Sequence, residues 1–323
     1  MLDFFGEIGG FIMQPLYYAI SFVLIRFHDL FGSMFGPDSG LSWVLSIIGL
    51  TLIIRAALIP LFVKQIKSSR NMQLIQPKVK ELQKKYGHDR ERLAAETMKL
   101  YKDSGTNPFA SCLPILLQMP IFLALFRLID RAASHPTEIR GLMTEDLNRQ
   151  FGDAIFLGAK ISDTFLKTDD NRVRLLAALL VLAMTVTTFL TQRQLMSKNM
   201  PADALTGPYA QQQKVLLYVL PLVFAVGGIA FPVGVLFYWT TSNVWTMGQQ
   251  FYVIRNNPAP NTEAFAAKVA RDKAKALRKG VVIDPEPSLG TTTDVVEPPL
   301  APRVQPKRQT KAQRQQKRKP PTK

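Results

Sequence analysis

Long apolar runs alternate along this chain with strongly basic stretches, and that segregation limits its possible folds more than any other feature. A hydrocarbon core about 30 Å thick needs roughly 20 apolar residues in a helix. Residues 41–63 meet that length with Arg55 as their only charge, and residues 108–129 and 173–195 follow the same pattern. The apolar stretch at 214–254 is too long for one crossing. Gly227, Gly228 and Pro232 interrupt it where a helix would stop and turn tightly, which divides it into two antiparallel spans, 214–231 and 232–254. The pattern therefore predicts an all-α polytopic membrane protein with five spans. Whole-chain averages hide this: 47% hydrophobic and 20% charged residues would also suit a soluble protein.

Ahead of these runs, residues 1–40 contain an apolar and aromatic segment at 11–31 that also carries Pro15, Arg26, His28 and Asp29. Such a mixture suits an amphipathic helix in the membrane interface, with a sixth span as the alternative. The first ten residues carry Asp3 and Glu7 rather than Lys or Arg, and no cleavage site follows, so no signal peptide is expected.

Basic residues set the orientation. Lys64, Lys67, Arg70, Lys78, Lys80, Lys84 and Lys85 follow the first run, whereas Arg131, Arg140 and Arg149 are mixed with Glu145, Asp146, Asp169 and Asp170. Residues 64–107 are thus expected in the cytoplasm, 130–172 outside, 196–213 inside, the Gly-Gly turn outside and the C-terminus inside. Within 64–107, Leu74, Val79, Leu82 and Tyr86 fall near helical spacing. Gly87, His88 and Asp89 make a turn, and Leu93, Thr97, Leu100 and Tyr101 continue on a second helix, which predicts a cytoplasmic helical hairpin. The tail at 255–323 ends in Lys307, Arg308, Lys311, Arg314, Lys317, Arg318 and Lys319, a composition that does not fold alone. Its partners by charge are the phosphates of anionic lipids or of ribosomal RNA.

Arg55 is the residue that speaks most directly to function. Placing an arginine in mid-span costs about 2.5 to 3.5 kcal/mol on insertion scales. None of the five apolar runs contains Asp or Glu to neutralise it. An arginine without an available acid must face water or neutral acceptors, which implies a hydrated cavity among the spans. Trp239, Asn243, Thr246 and Gln250 recur at helical steps in the last run. Thr187, Thr188, Thr191 and Gln192 do so in the third, and Gln118 lies between Pro114 and Pro120 in the second. Arg55, Gln118, Thr188, Trp239, Asn243 and Gln250 are the expected cavity wall. The lone Cys112 and the scattered His28, His88 and His135 lack metal-ligand spacing, and no nucleotide-binding or hydrolase motif occurs, so neither cofactor, metal nor enzymatic activity is expected.

The run Leu52 to Arg55 ahead of Pro60, the segment Asn107-Pro108 leading to Cys112-Leu113-Pro114, the run Gln118-Met119-Pro120-Ile121-Phe122, and Phe231-Pro232-Val233-Gly234 leading to Tyr238-Trp239 and Asn243 resemble the YidC family. This bacterial family is related to the mitochondrial oxidase-assembly and chloroplast Albino insertases. The resemblance implies five core helices around a hydrophilic groove open to the cytoplasm, with Arg55 as the groove arginine, in a bacterial plasma membrane. It also implies nascent membrane proteins as clients, and the Sec translocon and ribosomes as partners. Ala110-Ser111 stands where a glycine is common, and residues 1–40 leave no room for a large extracytoplasmic domain before the first core span, which points to a compact form. A small-solute transporter or channel is the alternative, since it too would hold a charge within the membrane.

Overall fold

The structure, a computed structural model, describes residues 2–105, 113–200 and 208–279. Cys112, Asn107, Pro108 and the basic residues from Lys307 to Lys319 lie outside them. The chain divides into two units, Met1–Ala270 and Arg271–Lys323.

Helix ends fall where the local chemistry stops a helix. The first helix, α1, spans Leu2–Phe35, and Gly36 leaves it at φ +95°. The next, α2 (Gly40–Ala57), is capped by Ser39, whose hydroxyl accepts the Leu41 N–H at 3.3 Å. A helix over 41–63 was expected, but α2 ends at Leu58 and α3 begins at Ile59 with Pro60 in its first turn, running to Tyr86 (Ile59–Tyr86). Proline supplies no N–H and crowds the carbonyl four residues back, so the ladder breaks there. Arg55 therefore occupies the last turn of α2, a few residues from a hinge, rather than the middle of a longer helix. After the turn at residues 87–89, α4 (Arg90–Asp103) starts on Asp89, whose carboxylate accepts the Arg92 N–H at 3.0 Å.

The remaining long helices are α5 (Leu113–Ser134), α7 (Asn171–Asn199), α8 (Pro208–Gly228) and α9 (Val233–Asn256). By length and composition α2 and α7 could each cross a bilayer, with mean hydropathies of 1.8 and 2.2. The all-helical expectation needs one amendment between α5 and α7. There the chain folds into α6 (Glu145–Asp153) and a two-stranded hairpin, β1 (Ile155–Phe156) with β2 (Ala159–Lys160). Leu157 and Gly158 both take positive φ, the signature of a tight two-residue turn that matches strand twist. A short helix, α10 (Glu263–Arg278), follows α9.

Side-chain pairings give the helix directions. Ile47 approaches Gly234 and Arg55 reaches Ser242, so α2 and α9 run parallel. Thr240 bonds the Leu180 carbonyl and Asn243 bonds Thr188, so α7 runs the same way. Gln118 meets Tyr238 while Phe126 meets Phe231, which sets α5 antiparallel to α9. Tyr218 lies against Phe189 and Gly228 against Val181, which sets α8 antiparallel to α7.

The folded segment between α5 and α7 covers one end of this bundle. Gly40 packs so close to β1 that a Cβ would fall 2.3 Å from the Ile155 carbonyl carbon, and the Gly234 N–H donates to the Ile161 carbonyl at 2.8 Å. Trp43 meets Phe151 edge-on at 5.2 Å and stacks on His28 at 3.7 Å. The helix expected over 11–31 is packed as well as amphipathic: Met13, Tyr17, Ile20 and Leu24 recur at steps of four, three and four, and all are buried where α1 meets α2 and α5.

Candidate functional site

A cavity of about 640 Å³ opens where the end of α2 and the start of α3 diverge from α9. That volume lies within the usual range for binding pockets. Beyond Pro60, Phe62, Gln65 and Ile66 of α3 form one wall. Gln118, Met119 and Phe122 of α5, Asn199 of α7, Phe224 of α8, residues of α9 from Tyr238 to Val253, and Asn257 just past it supply the others.

Arg55 is 9% exposed. Its Nε donates to the Ser242 hydroxyl at 3.0 Å, its Nη2 bonds the same oxygen, and its guanidinium lies 5.9 Å from the Phe62 ring centre. The residues lining the cavity include no Asp or Glu, and among the described residues Arg55 forms no ion pair. The positive charge is thus met by a hydroxyl and a ring face, in a cavity that carboxamides also line. Gln65, Gln118, Asn199, Asn243, Gln249, Gln250 and Asn257 all line the space.

Aromatic rings accompany the carboxamides in the wall and pack on one another: Phe122 meets Trp239 at 5.1 Å, Phe224 meets Trp239 at 5.1 Å, and Phe231, behind the wall, meets Phe122 at 5.5 Å, each edge to face. Gln118 donates its amide to the Tyr238 hydroxyl, while its Oε1 is buried with no partner among the described residues.

Of the six wall residues expected from sequence, Arg55, Gln118, Trp239, Asn243 and Gln250 meet in this one cavity. Thr188 stands a layer behind. Its hydroxyl donates to the Met184 carbonyl at 2.8 Å and accepts from Asn243 Nδ2 at 3.0 Å, so it orients Asn243 instead of lining the space. Thr187 and Thr191 likewise donate to carbonyls four residues back, at 2.7 Å each. Ser242 and Tyr238, which touch Arg55 and Gln118, were not foreseen. Tyr238, Ser242 and Gln249 each lie one residue before Trp239, Asn243 and Gln250 of the stripe that was, and so share its spacing.

The sequence profile of the family described as 60Kd inner membrane protein matches residues 34–261. The membrane protein insertase YidC of Streptomyces avermitilis is 45% identical over 288 residues, 86% of this chain and 66% of its own length. That of Tropheryma whipplei is 38% identical over 277 residues, 80% of this chain and 89% of its own. A crystal structure of an active YidC insertase with its first transmembrane domain resolved aligns with 72% of this chain and 46% of its own, at 24% identity and a TM-score of 0.47. This chain spans about two thirds of the Streptomyces relative and nearly all of the Tropheryma one.

Proposed function

The chain belongs to the YidC family of bacterial inner membrane proteins, and from that premise we propose that it is a multi-pass insertase that moves client segments into the bilayer through the Arg55 cavity. Transfer between phases makes or breaks no bond, so this is chaperone work rather than enzyme catalysis. The relatives are named insertases, which does not favour a solute transporter.

In this reading α2, α5, α7, α8 and α9 are the five crossings, and their alternating directions support it. The α3–α4 hairpin lies in the cytoplasm with the C-terminus, since basic residues crowd α3 after the hinge. The segment 135–170 lies outside. The cavity is then wet on the cytoplasmic side and sealed by aromatic rings on the other.

The observation that carries the proposal is Arg55 held by the neutral Ser242 in a cavity without acids. An unneutralised guanidinium attracts polar or acidic segments of a client, and the carboxamides exchange hydrogen bonds with its backbone. Both shorten the apolar barrier. The apolar part of the client then leaves sideways into lipid, driven by burial of its own surface, with no nucleotide hydrolysis required.

The test is insertion of a short single-span client into liposomes holding only this purified chain, scored by protease protection. Protection well above that of empty liposomes is expected, with about a tenfold loss for Arg55→Ala, equivalent to about 1.4 kcal/mol of transfer barrier. Protection no better than in empty liposomes would refute autonomous insertion and move the activity to a complex with the translocon. Full activity of Arg55→Ala with every client tried would remove the arginine from the mechanism.

A further inference from the structure

Away from the cavity, α1 and the folded segment between α5 and α6 enclose a second recess of about 390 Å³, where Gln14, Tyr17 and Tyr18 face Glu138, Arg140 and Gly141. The recess is built, not incidental. Gly141 sits at φ +60°, and a Cβ there would lie 2.4 Å from Ser21 Oγ and 2.5 Å from the Tyr17 carbonyl oxygen. Only glycine permits so close an approach. The next residue, Leu142, donates its N–H to Ser21 Oγ at 2.8 Å, which fastens the segment to α1 and holds Arg140 over the Tyr17 ring at 5.5 Å.

Arg140 is underused in this position. Its Nε is buried and has no hydrogen-bond partner among the described residues, and its Nη2 approaches Glu138 only to 3.8 Å, beyond hydrogen-bond length. Glu138 is shared with Arg131 at 3.2 Å, so two guanidinium groups face one carboxylate and a positive charge remains over. The Arg140 side chain is 32% exposed although its Nε is buried, so a ligand in the recess meets the outer, Nη end of the guanidinium. The two Nη groups of a guanidinium match two oxygens of a phosphate. From the rim of the recess, half-exposed Tyr18 and Phe22 lead away one turn apart along α1.

We propose that this recess seats the phosphodiester headgroup of a membrane phospholipid. Arg140 holds two phosphate oxygens through its Nη groups, Gln14 supplies an amide at the rim, and an acyl chain lies along Tyr18 and Phe22. The proposal rests on the placement of the chain in a membrane and not on insertase activity. Free phosphate offers the same oxygens without the apolar chain, so affinity for it is expected to be far lower.

The test is native mass spectrometry of the full chain in neutral detergent, titrated with phosphatidylglycerol. One tightly held lipid is expected in the native chain, with affinity falling about tenfold in Arg140→Gln and by less in Arg140→Lys, which keeps the charge but loses the planar fork. Phe22→Ser, remote from the ion pairs of Arg140, is expected to weaken the same site while leaving the fold of the segment alone. Equal lipid retention by the native chain and Arg140→Gln overturns the proposal. So does displacement of the lipid by an equimolar concentration of inorganic phosphate, which would make this a site for a free anion. Client insertion measured on the same preparations separates the two readings: a native chain that holds the lipid but inserts nothing refutes the function and leaves this site standing.

Discussion

A single hydroxyl defines the chemistry around Arg55. The Ser242 oxygen accepts from both Nε and Nη2 and is itself buried, so the guanidinium is pinned rather than free to swing into the cavity. Hydrogen bonds to charged groups contribute about 1.5 to 3 kcal/mol, and cavity water takes over part of that when the partner is lost. Ser242→Ala is therefore expected to lower stability by about 1.5 kcal/mol, read as an earlier denaturant midpoint in micelles, while reducing insertion less than Arg55→Ala does. An unchanged midpoint would mean that water already solvates the charge. Arg55 was legible from sequence because a lone cation in an acid-free apolar run demands an explanation. Ser242 was not legible, since one more hydroxyl in a helix ordinarily bonds the carbonyl four residues back and signals nothing. Thr188 shows the reverse error: its spacing matched the wall, but its hydroxyl is occupied by Met184 and Asn243.

Among the elements, the break at Leu58 and Pro60 matters most, because α3, which begins there, lines two recesses. On one side lies the polar cavity. On the other, Ile59 and Val63 of α3 meet Val244, Trp245 and Tyr252 of α9 in an apolar groove of about 530 Å³. Proline at position 60 was plain in the sequence, yet the run beyond it remains apolar to Val63, and hydropathy alone cannot distinguish a kinked span from a continuing one. The helix directions carry a prediction of sidedness. In a Cys112→Ser background, Leu166→Cys in the segment proposed to lie outside is expected to react with a membrane-impermeant thiol reagent on intact cells. Met98→Cys on α4 is expected to react only after permeabilisation. Both positions are exposed, so equal labelling of the two would refute the assigned topology.

For the molecule as a whole, the strongest expectation from charge concerns the tail. Lys307, Arg308, Lys311, Arg314, Lys317, Arg318 and Lys319 would meet phosphates at the cytoplasmic face, either of ribosomal RNA or of anionic lipid. Removal of residues 307–323 is expected to weaken cosedimentation with ribosomes, with the deficit shrinking as salt rises because the truncated chain makes fewer phosphate contacts and its binding depends less steeply on salt. Cosedimentation that is equal at low salt would assign the tail to lipid or to no partner. The sequence by itself determined the apolar runs, their punctuation by glycine and proline, the sidedness implied by basic residues, and the presence of one uncompensated arginine, because each of these is a property of neighbouring residues along the chain. The tertiary structure alone decided that Ser242 is the arginine's partner, that Phe62, Gln65 and Ile66 beyond Pro60 wall the cavity, and that Gly141 fastens the segment between α5 and α6 to α1 beside Arg140. Those contacts join residues far apart in sequence, and which of many similar hydroxyls, rings and glycines meet depends on how the helices pack, not on any local pattern.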